Sequence, residues 1–332
     1  MNLFATVLTH PAPTANYRGE SELNRTVIQK ITDGRAEYPI VSPEAMRNAL
    51  REILSGPRYG LPANRKRIHP TAGEGDEKQQ LAVKYAEYPD PDKFADDFLF
   101  GYLLAVKNEE LNKLRKAKGK DFPLKRDSIL RMNLAKGLEP YRHVTVFTQS
   151  PMFHKDNAWK VGGDGGTSSA LLHRETADTA FQYPFALNCE DSRAKPEWAT
   201  KLLDAIGELA GASGNHARSL YFMAPASIVI RLTEQLCPGY EQYHFTVRRD
   251  PSTNDRIYES RVISRLLSDG NPLPKEEFYI GGEIVDRLSN SDRQKLSEGG
   301  EVGTGATLDP DPRRLLKTVA AKAFNLPAKQ EV

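Results

Sequence analysis

Arginine, asparagine and tyrosine side chains recur in two neighbouring segments near the N-terminus. The first segment is TANYRGESELNR at 14–25, and the second is SPEAMRNALREIL at 42–54. Arg47 and Arg51 are four residues apart, so a helix would place both guanidinium groups on one face. Guanidinium groups, amides and aromatic rings recognise phosphates and unstacked bases. The two segments therefore predict a nucleic-acid contact, and the candidate residues are Asn16, Tyr17, Arg18, Asn24, Arg25, Ser42, Arg47 and Arg51.

Basic residues are locally concentrated, although the formal net charge is only +2. Residues 56–70 contain four Lys or Arg and no acid, and residues 111–126 contain seven against one acid. Residues 74–97, between them, contain eight acids and three bases. A nearly neutral protein can bind a polyanion along one basic face, but a solvated helix face with a charged loop gives the same pattern. From these stretches we add Arg65, Lys66 and Arg67 to the candidate RNA contacts.

Two glycine-containing loops supply the remaining candidates. GASGNHAR at 211–218 combines glycines, which allow close backbone approach, with polar side chains that suit a phosphate or a base. A capped turn with solvated polar groups is the alternative interpretation of this loop. GGDGG at 162–166 lacks the Lys of a phosphate-binding loop, so we interpret it as a hairpin tip. The candidates are Asn215, His216 and Arg218 in the first loop, and Gly162, Gly163, Gly165 and Gly166 in the second.

No motif for catalysis or metal binding stands out. The seven histidines form neither H-E-x-x-H nor H-x-H, and no G-x-S-x-G is present. Cys189 and Cys237 are too few for a disulfide framework or a cysteine-rich zinc site, and Cys189 is expected to be a buried thiol. The N-terminus shows no secretory leader, and no apolar run approaches the ~18 residues of a membrane span. We expect a cytoplasmic protein without membrane contact, metal or cofactor.

The surrounding sequence predicts an α+β protein with helices on one side of a sheet. Ser42 and Pro43 are typical of a helix start, and Gly56 with Pro57 of a helix end. Pro184 suggests an edge strand or a bulge. Alternation predicts strands at 3–9, 128–134, 143–148, 179–188, 219–232 and 243–249, whereas 25–31 suits either a strand or a helix. Helices are expected at 43–54, 93–106, 108–118, 196–210 and 312–324.

Aromatic residues alternate along the predicted strand 179–188, at Phe181, Tyr183 and Phe185. On an open sheet such residues could stack bases. In a covered sheet the same residues belong to the core. The sequence leaves both interpretations open.

Four segments together resemble the DevR-type Cas seven family, the backbone subunit of type I CRISPR Cascade complexes, with an I-B-like pattern. They are TANYRGESELNR, YPIVSPEAMRNALRE, HRETADTAFQYPFAL and SGNHARSLYFMAPASIVIRL. They occur in the family's order and span roughly residues 3–232, so the resemblance covers most of the chain.

The resemblance implies an RRM-like (ferredoxin-like) palm at 1–56 and 126–288, with an inserted helical fingers region at 57–125. It also implies a protruding thumb hairpin at about 148–178, in which Met152, Phe153 and the glycine tip would displace a base. Residues 289–332 are expected to be a flexible tail with a possible short helix. Such subunits polymerise head to tail along CRISPR RNA, so the implied partners are that RNA, paired target DNA, copies of the chain and other Cascade subunits.

Catalysis is not expected, because backbone subunits of type I systems are generally non-catalytic. The first alternative is a metal-independent RNA-processing endonuclease on the same palm, with His216 or His154 as general base. The second alternative is a regulatory nucleic-acid-binding protein. No helix-turn-helix signal favours that second alternative.

Overall fold

The computed structural model describes residues 1–22, 25–68, 82–105, 107–149, 171–212, 220–298 and 305–324. The strands are β1 Asn2–Thr9, β2 Ala12–Thr14, β3 Tyr17–Glu22, β4 Arg25–Ile28, β5 Lys30–Asp33, β6 Ala36–Val41, β7 Arg65–Ile68, β8 Ala82–Tyr85, β9 Tyr102–Leu103, β10 Lys125–Arg126, β11 Leu130–Met132, β12 Ala135–Gly137, β13 Val144–Gln149, β14 Leu171–Thr179, β15 Phe181–Asn188, β16 Pro225–Thr233, β17 Phe245–Arg249, β18 Arg256–Ser260, β19 Phe278–Gly282 and β20 Thr307–Asp309. The α-helices are α1 Pro43–Ser55, α2 Ala95–Phe100, α3 Asn108–Lys118, α4 Cys189–Ser192, α5 Pro196–Ile206, α6 Arg261–Leu267, α7 Glu283–Asp286, α8 Asn290–Ser297 and α9 Pro312–Phe324.

The main sheet is built around β1. This strand pairs antiparallel with β15 on one side and with β16 on the other, and β15 pairs in turn with β11 and β12. The central order is therefore β16-β1-β15-β11/β12, with α1 between β1 and β11 in the chain and α5 between β15 and β16. The sheet continues through β19 and β20 at one side and through β6 and β5 at the other. The expected α+β class is confirmed.

The first helix has the ends that its sequence predicts. The Ser42 hydroxyl accepts a hydrogen bond from the backbone N–H of Ala45 at 3.2 Å, and Pro43 occupies the first turn. The helix ends at Gly56, whose N–H donates to the carbonyl of Ile53. A side-chain cap at the N-terminus satisfies one of the otherwise unpaired backbone donors of the helix.

Helices α1, α5 and α9 form one layer on the main sheet and bury its first core. Each contributes fully buried leucines, including Leu50, Leu203 and Leu316. The aromatic residues Phe181, Tyr183 and Phe185 are buried in the same core, so the interpretation of these residues as core is confirmed and base stacking on them is not possible. The sequence pattern alone could not distinguish core residues from base-stacking residues, because alternation does not show which face of a sheet is covered.

A second core lies under the β17–β18 hairpin and helices α6 to α8. It includes Phe245 and Leu266 from these elements, and Phe278 and Ile280 from β19. The main sheet is therefore packed against other elements on both faces in this part of the molecule. The expectation that the helices lie on one side of the sheet is wrong, because α6 to α8 lie on the face opposite α1, α5 and α9.

Strands β2, β3 and β4 lie within residues 12–28, although alternation in the sequence predicts no strand between 12 and 24. β2 pairs with β14, and β4 pairs with both β14 and β3. Together with β13 they form a small sheet of order β13-β14-β4-β3, with β2 beside β14. Of the two options for 25–31, the strand is correct. β13 and β14 pair antiparallel on either side of residues 150–170, which lie outside the described part of the chain. The thumb hairpin at about 148–178 stays a prediction.

The predicted helix at 93–106 is shorter than expected. α2 ends at Phe100 because Gly101 has φ +65°, where the backbone leaves the helix. A Cβ at this position would lie 2.3 Å from the Arg126 carbonyl oxygen, so the close approach of β10 also requires glycine. The helix predicted at 108–118 has the expected bounds.

The C-terminal region requires a correction, because its described residues are ordered elements and not a flexible tail. α8 lies within 290–298, and β20 pairs in parallel with β19. The helix predicted at 312–324 is present as α9, but it docks on α5 of its own chain and not on a neighbour. The apolar residues Leu315, Leu316 and Val319 explain this docking, since all three are buried.

Pro184 lies in the interior strand β15 and not at an edge. Its carbonyl accepts from the Asn133 N–H at 3.1 Å, at the break between β11 and β12. In a strand the N and C=O of one residue face the same neighbour. The missing N–H of Pro184 therefore faces an irregular stretch, which is how an interior strand tolerates this proline.

Candidate nucleic-acid interface

Arg47 and Arg51 lie one turn apart on α1 and share the aromatic ring of Phe100. The Cζ atom of Arg51 is 4.5 Å from the ring centroid, and that of Arg47 is 5.8 Å away. Arg47 Nη2 also donates a hydrogen bond to the Phe100 carbonyl oxygen. Because a guanidinium is attracted to the face of an aromatic ring, Phe100 holds the two groups side by side. This confirms the shared face predicted from the spacing.

Two buried carboxylates hold β7 beside this arginine pair. The oxygens of Asp96 accept hydrogen bonds from the backbone N–H groups of Asn64 at 2.8 Å and Arg65 at 2.9 Å. Asp97 accepts from the side-chain amide of Asn64 at 2.9 Å. Both aspartates belong to the buried helix α2. These bonds therefore fix the start of β7, and with it Arg65, relative to the end of α2.

Arg51, Arg65 and Lys66 border an open groove of about 560 Å³ between α1 and β7. Asn48 of α1 adds an amide to the lining, and Leu61 adds an apolar side chain. Glu52 also lines the groove, and its carboxylate accepts from the Asn48 side-chain amide at 3.1 Å. The two guanidinium groups and the ammonium group can bind phosphate oxygens by charge-assisted hydrogen bonds. The groove is therefore a candidate backbone-phosphate site.

Positive charge is crowded at this groove. Burial, followed by the charges of Arg65 and Arg47, lowers the pKa of Arg51 to about 10, against the opposing charge of Asp96. Burial also lowers the pKa of Arg47. The Nε atoms of Arg47 and Arg65 are buried, and neither has a hydrogen-bond partner within the described residues. An anion bound here would offset the mutual repulsion of the guanidinium groups.

Asn16 and Ser42 make contacts within the fold. The Asn16 side-chain amide is buried and donates to the Ile40 carbonyl oxygen at 2.8 Å, and the Ser42 hydroxyl caps α1. Tyr17, Arg18 and Arg25 lie on β3 and β4 of the small sheet, while Arg67 follows Lys66 on β7. The structure thus places the sequence candidates in two regions, with Arg51, Arg65 and Lys66 at the groove and Arg47 beside Arg51 on the ring of Phe100.

Several candidates lie outside the described residues. They comprise the end of the first segment, the predicted tip of the thumb and the loop at 213–219. They are Asn24, Met152, Phe153, Gly162, Gly163, Gly165, Gly166, Asn215, His216 and Arg218. His154, the other general base considered for an endonuclease, lies in the same undescribed range. The roles of these residues stay predictions.

Phe100, Asp96 and Asp97 help to position the candidate site, and the sequence reasoning missed them. The run KFADDFLF contains a usable signal, since two adjacent acids interrupt an apolar helix. Carboxylates in a buried helix require hydrogen-bond donors nearby. Their donors, however, lie about thirty residues earlier in the chain, so the sequence could not show which segment they hold.

Three further features of the described residues concern metal binding, the thiol of a cysteine and insertion into a membrane. Within the ranges that the structure covers, no group of three or more His, Cys, Asp or Glu side chains could hold a metal ion. Cys189 is buried, as expected, and burial raises the pKa of its thiol to about 11. A helix with the length and apolarity needed to cross a membrane is not found in the described part of the chain.

A curated relative extends over nearly the whole chain. It is the CRISPR-associated protein Cas7/Cst2/DevR of Myxococcus xanthus (strain DK1622), 29% identical over 306 residues, which are 92% of this chain and 94% of the relative. The resemblance to the Cas7/DevR family is confirmed. It extends well beyond the four sequence segments that first suggested it. No family model matches the chain.

Solved structures share the fold of this chain. A chain of a CRISPR RNA-guided surveillance complex in a pre-nicking state superposes with a TM-score of 0.56 at 11% identity, covering 98% of this chain and 100% of that one. A chain of another CRISPR RNA-guided surveillance complex superposes with a TM-score of 0.53 at 12% identity and the same coverage. At this identity the likeness concerns the fold, and it spans the full length of the neighbours.

Proposed function

We propose that the chain is a CRISPR RNA-binding backbone subunit of a type I Cascade effector. It polymerises head to tail along the guide RNA and presents the guide for pairing with target DNA. The observation that carries the proposal is the groove of Arg51, Arg65 and Lys66, which offers phosphate ligands at fixed positions. The likeness to Cas7/DevR over 92% of the chain supports the same conclusion.

The strand order supports an RRM-like palm in this role. The central order β16-β1-β15-β11/β12, with α1 and α5 as the two helical connections, is the arrangement of a ferredoxin-like sheet. The segment 57–125 supplies the fingers, and the β13–β14 pair supplies the base of the thumb. Because the palm sheet is covered on both faces, the guide is bound by the groove and by the projecting segments.

Phosphate contacts suit a subunit that must accept any guide sequence. Contacts to the backbone position a strand but carry no sequence information, and they leave the base edges free to pair with target DNA. A heterologous contact that does not close produces a helical filament, so repeated copies of the chain can follow one RNA. Other Cascade subunits would cap such a filament at its ends. We place the assembly in the cytoplasm.

The proposal is tested by equilibrium binding of single-stranded RNA at several salt concentrations. Arg51→Ala and Arg65→Ala should weaken binding to all RNA sequences alike, and each should reduce the slope of log K against log salt by about one. Arg248→Ala is the matched control, because this exposed arginine pairs with Glu259 on the β17–β18 hairpin. Loss of affinity for one RNA sequence only, or an unchanged slope in both groove variants, would contradict the proposal.

Assembly is tested by purifying the chain from cells that also express a CRISPR array. We expect bound RNA of uniform length on particles that contain several copies of the chain. The operon neighbours are then added, because a chain that needs other subunits would form such particles only in their presence. RNA-free monomers under both conditions would argue against the proposal.

We propose that the subunit has no catalytic activity of its own. Incubation with a CRISPR repeat hairpin and with RNA complementary to the guide should leave both substrates intact. Discrete cleavage products that disappear with His216→Ala, His154→Ala or a single Asp→Ala change would favour the endonuclease alternative instead.

A further inference from the structure

A second groove lies between the end of β8 and the end of α3. It measures about 530 Å³ and is lined mainly by Tyr85, Tyr88, Pro89 and Leu104. Tyr85 is 46% exposed. Two tyrosines, a proline and a leucine give this groove an aromatic and apolar lining that suits the face of a base.

Tyr85 connects this groove to the arginine groove. It lies directly opposite Arg65 in the antiparallel β7–β8 pair. Residues directly opposite each other in such a pair present their side chains on the same face. One continuous path therefore leads from the phosphate ligands to the aromatic groove.

The charges along the path favour an anionic occupant. Arg51 and Arg65 line the arginine groove, and Lys118 lines the aromatic groove. Glu87 is the acid in the lining of the aromatic groove, and it pairs with Lys93. Cationic side chains at both ends of the path attract a polyanionic strand.

We propose that the aromatic groove binds an unstacked base of the nucleic-acid strand whose phosphates occupy the arginine groove, and that Tyr85 is the stacking platform. The inference rests on the proposed function and adds a base-binding site to it. Stacking on an aromatic ring is tolerant of sequence because every base has a π-face. Such a site can therefore hold bases without restricting which guide the subunit accepts.

The experiment uses the purified chain and short single-stranded RNA that carries 2-aminopurine at successive positions. Tyr85→Ala should weaken binding by roughly 5- to 150-fold, as expected for loss of one stacked base, with an unchanged salt slope. Quenching of 2-aminopurine should be lost in the same variant. Tyr85→Phe should bind and quench like the unaltered chain, because the ring alone is required.

Leu236→Ala is the control for exposed apolar surface, since this residue is 91% exposed in a different part of the chain.

Arg51→Ala separates the two proposals, because it should lower the salt slope while quenching persists at saturation. If Tyr85→Ala retains full affinity and quenching while Arg51→Ala binds weakly, the base site is wrong and the proposed function stands. If neither variant alters binding, both are wrong. If Tyr85→Ala instead prevents association with a protein subunit at unchanged RNA affinity, the groove is a protein contact and the inference is overturned.

Discussion

The main sheet and the small sheet are stabilised in different ways. The main sheet buries leucines and aromatic rings from α1, α5 and α9 on one face and a second core on the other. The small sheet has a cluster of only Ala15, Ile28 and Ala177, with Tyr141 packed against it, among its described residues. A sheet with so little apolar burial gains little stability from its own core. Among the described residues, the strands of the small sheet are therefore held together mainly by polar contacts.

One buried charge illustrates the difference. Glu175 of β14 is almost fully buried, and it accepts from the Ile28 N–H at 3.2 Å and lies 3.6 Å from Lys30 Nζ. In contrast, Val144, Val146 and Phe147 of the edge strand β13 are exposed. The groove of Arg51, Arg65 and Lys66 lies beside α1, which packs on the main sheet, whereas β13 and β14 of the small sheet flank the predicted thumb. The two regions therefore differ in how much apolar surface their described residues bury.

The largest expected change in the free energy of unfolding comes from a substitution in the core of the main sheet. Leu203→Ala should lower the free energy of unfolding by about 2–5 kcal/mol, because it removes a fully buried side chain between α5 and the sheet. Urea unfolding followed by circular dichroism measures the change. The exposed Leu236→Ala is the matched control and should stay within about 0.5 kcal/mol. A loss below about 1 kcal/mol for Leu203→Ala would remove the contrast between the two sheets.

The second expected effect is on how the free energy of unfolding depends on pH, through a histidine at the second core. His244 is fully buried, and burial lowers its pKa to about 3, with a further contribution from Arg261. Below the ordinary histidine pKa of about 6.5, the unfolded chain binds a proton that the folded chain excludes, so stability falls as the pH falls toward the folded value. The decline contributed by this residue is about 1.4 kcal/mol per pH unit at most.

His244→Gln should therefore flatten the pH dependence of unfolding between pH 6 and 4, about the range between the two pKa values. The slope is the readout, because the substitution also changes packing and so the absolute stability. Tyr240→Phe is the control, since this neighbour's ring is 5.7 Å from the His244 ring and the change removes only a hydroxyl. An equal slope in His244→Gln and the unaltered chain would contradict this prediction, because it would show that the imidazole binds its proton equally in the folded and unfolded states.

The smallest change in the free energy of unfolding is expected for a substitution on the small sheet. Val146→Thr keeps the shape of an exposed side chain on β13 and should change the stability of the free chain by less than about 0.5 kcal/mol. Thermal unfolding of the free chain is the measurement. If β13 is covered in the filament, the same variant should reduce the amount of multimer formed on RNA. Destabilisation of the free chain by more than 1 kcal/mol would mean that β13 is already packed without a partner.

Local sequence signals predicted the elements whose cause is local. Ser42, Pro43 and Gly56 defined α1 because capping and helix termination depend on residues within the same segment. The bounds of α3 and α9 followed from their periodicity in the same way. β2 and β3 were missed because the small sheet that contains them is built on β14, far away in the sequence, and no local feature specifies that partner. The length of α2 was missed because Gly101 matters only where β10 passes close to it.

By itself the sequence determined that Arg47 and Arg51 share one helical face, that the chain is α+β, and that its segments resemble a Cas seven backbone subunit. The shared face follows from helix geometry, because residues four apart lie on one side of a helix. The fold class and the resemblance follow from the residue types and their order within short segments. The tertiary structure alone decided that Phe100 holds the two arginines and that Asp96 brings Arg65 to them. It also decided that Tyr85 continues the path into an aromatic groove. These contacts join segments that are distant in the chain, and only packing and hydrogen bonding in the folded state bring such segments together.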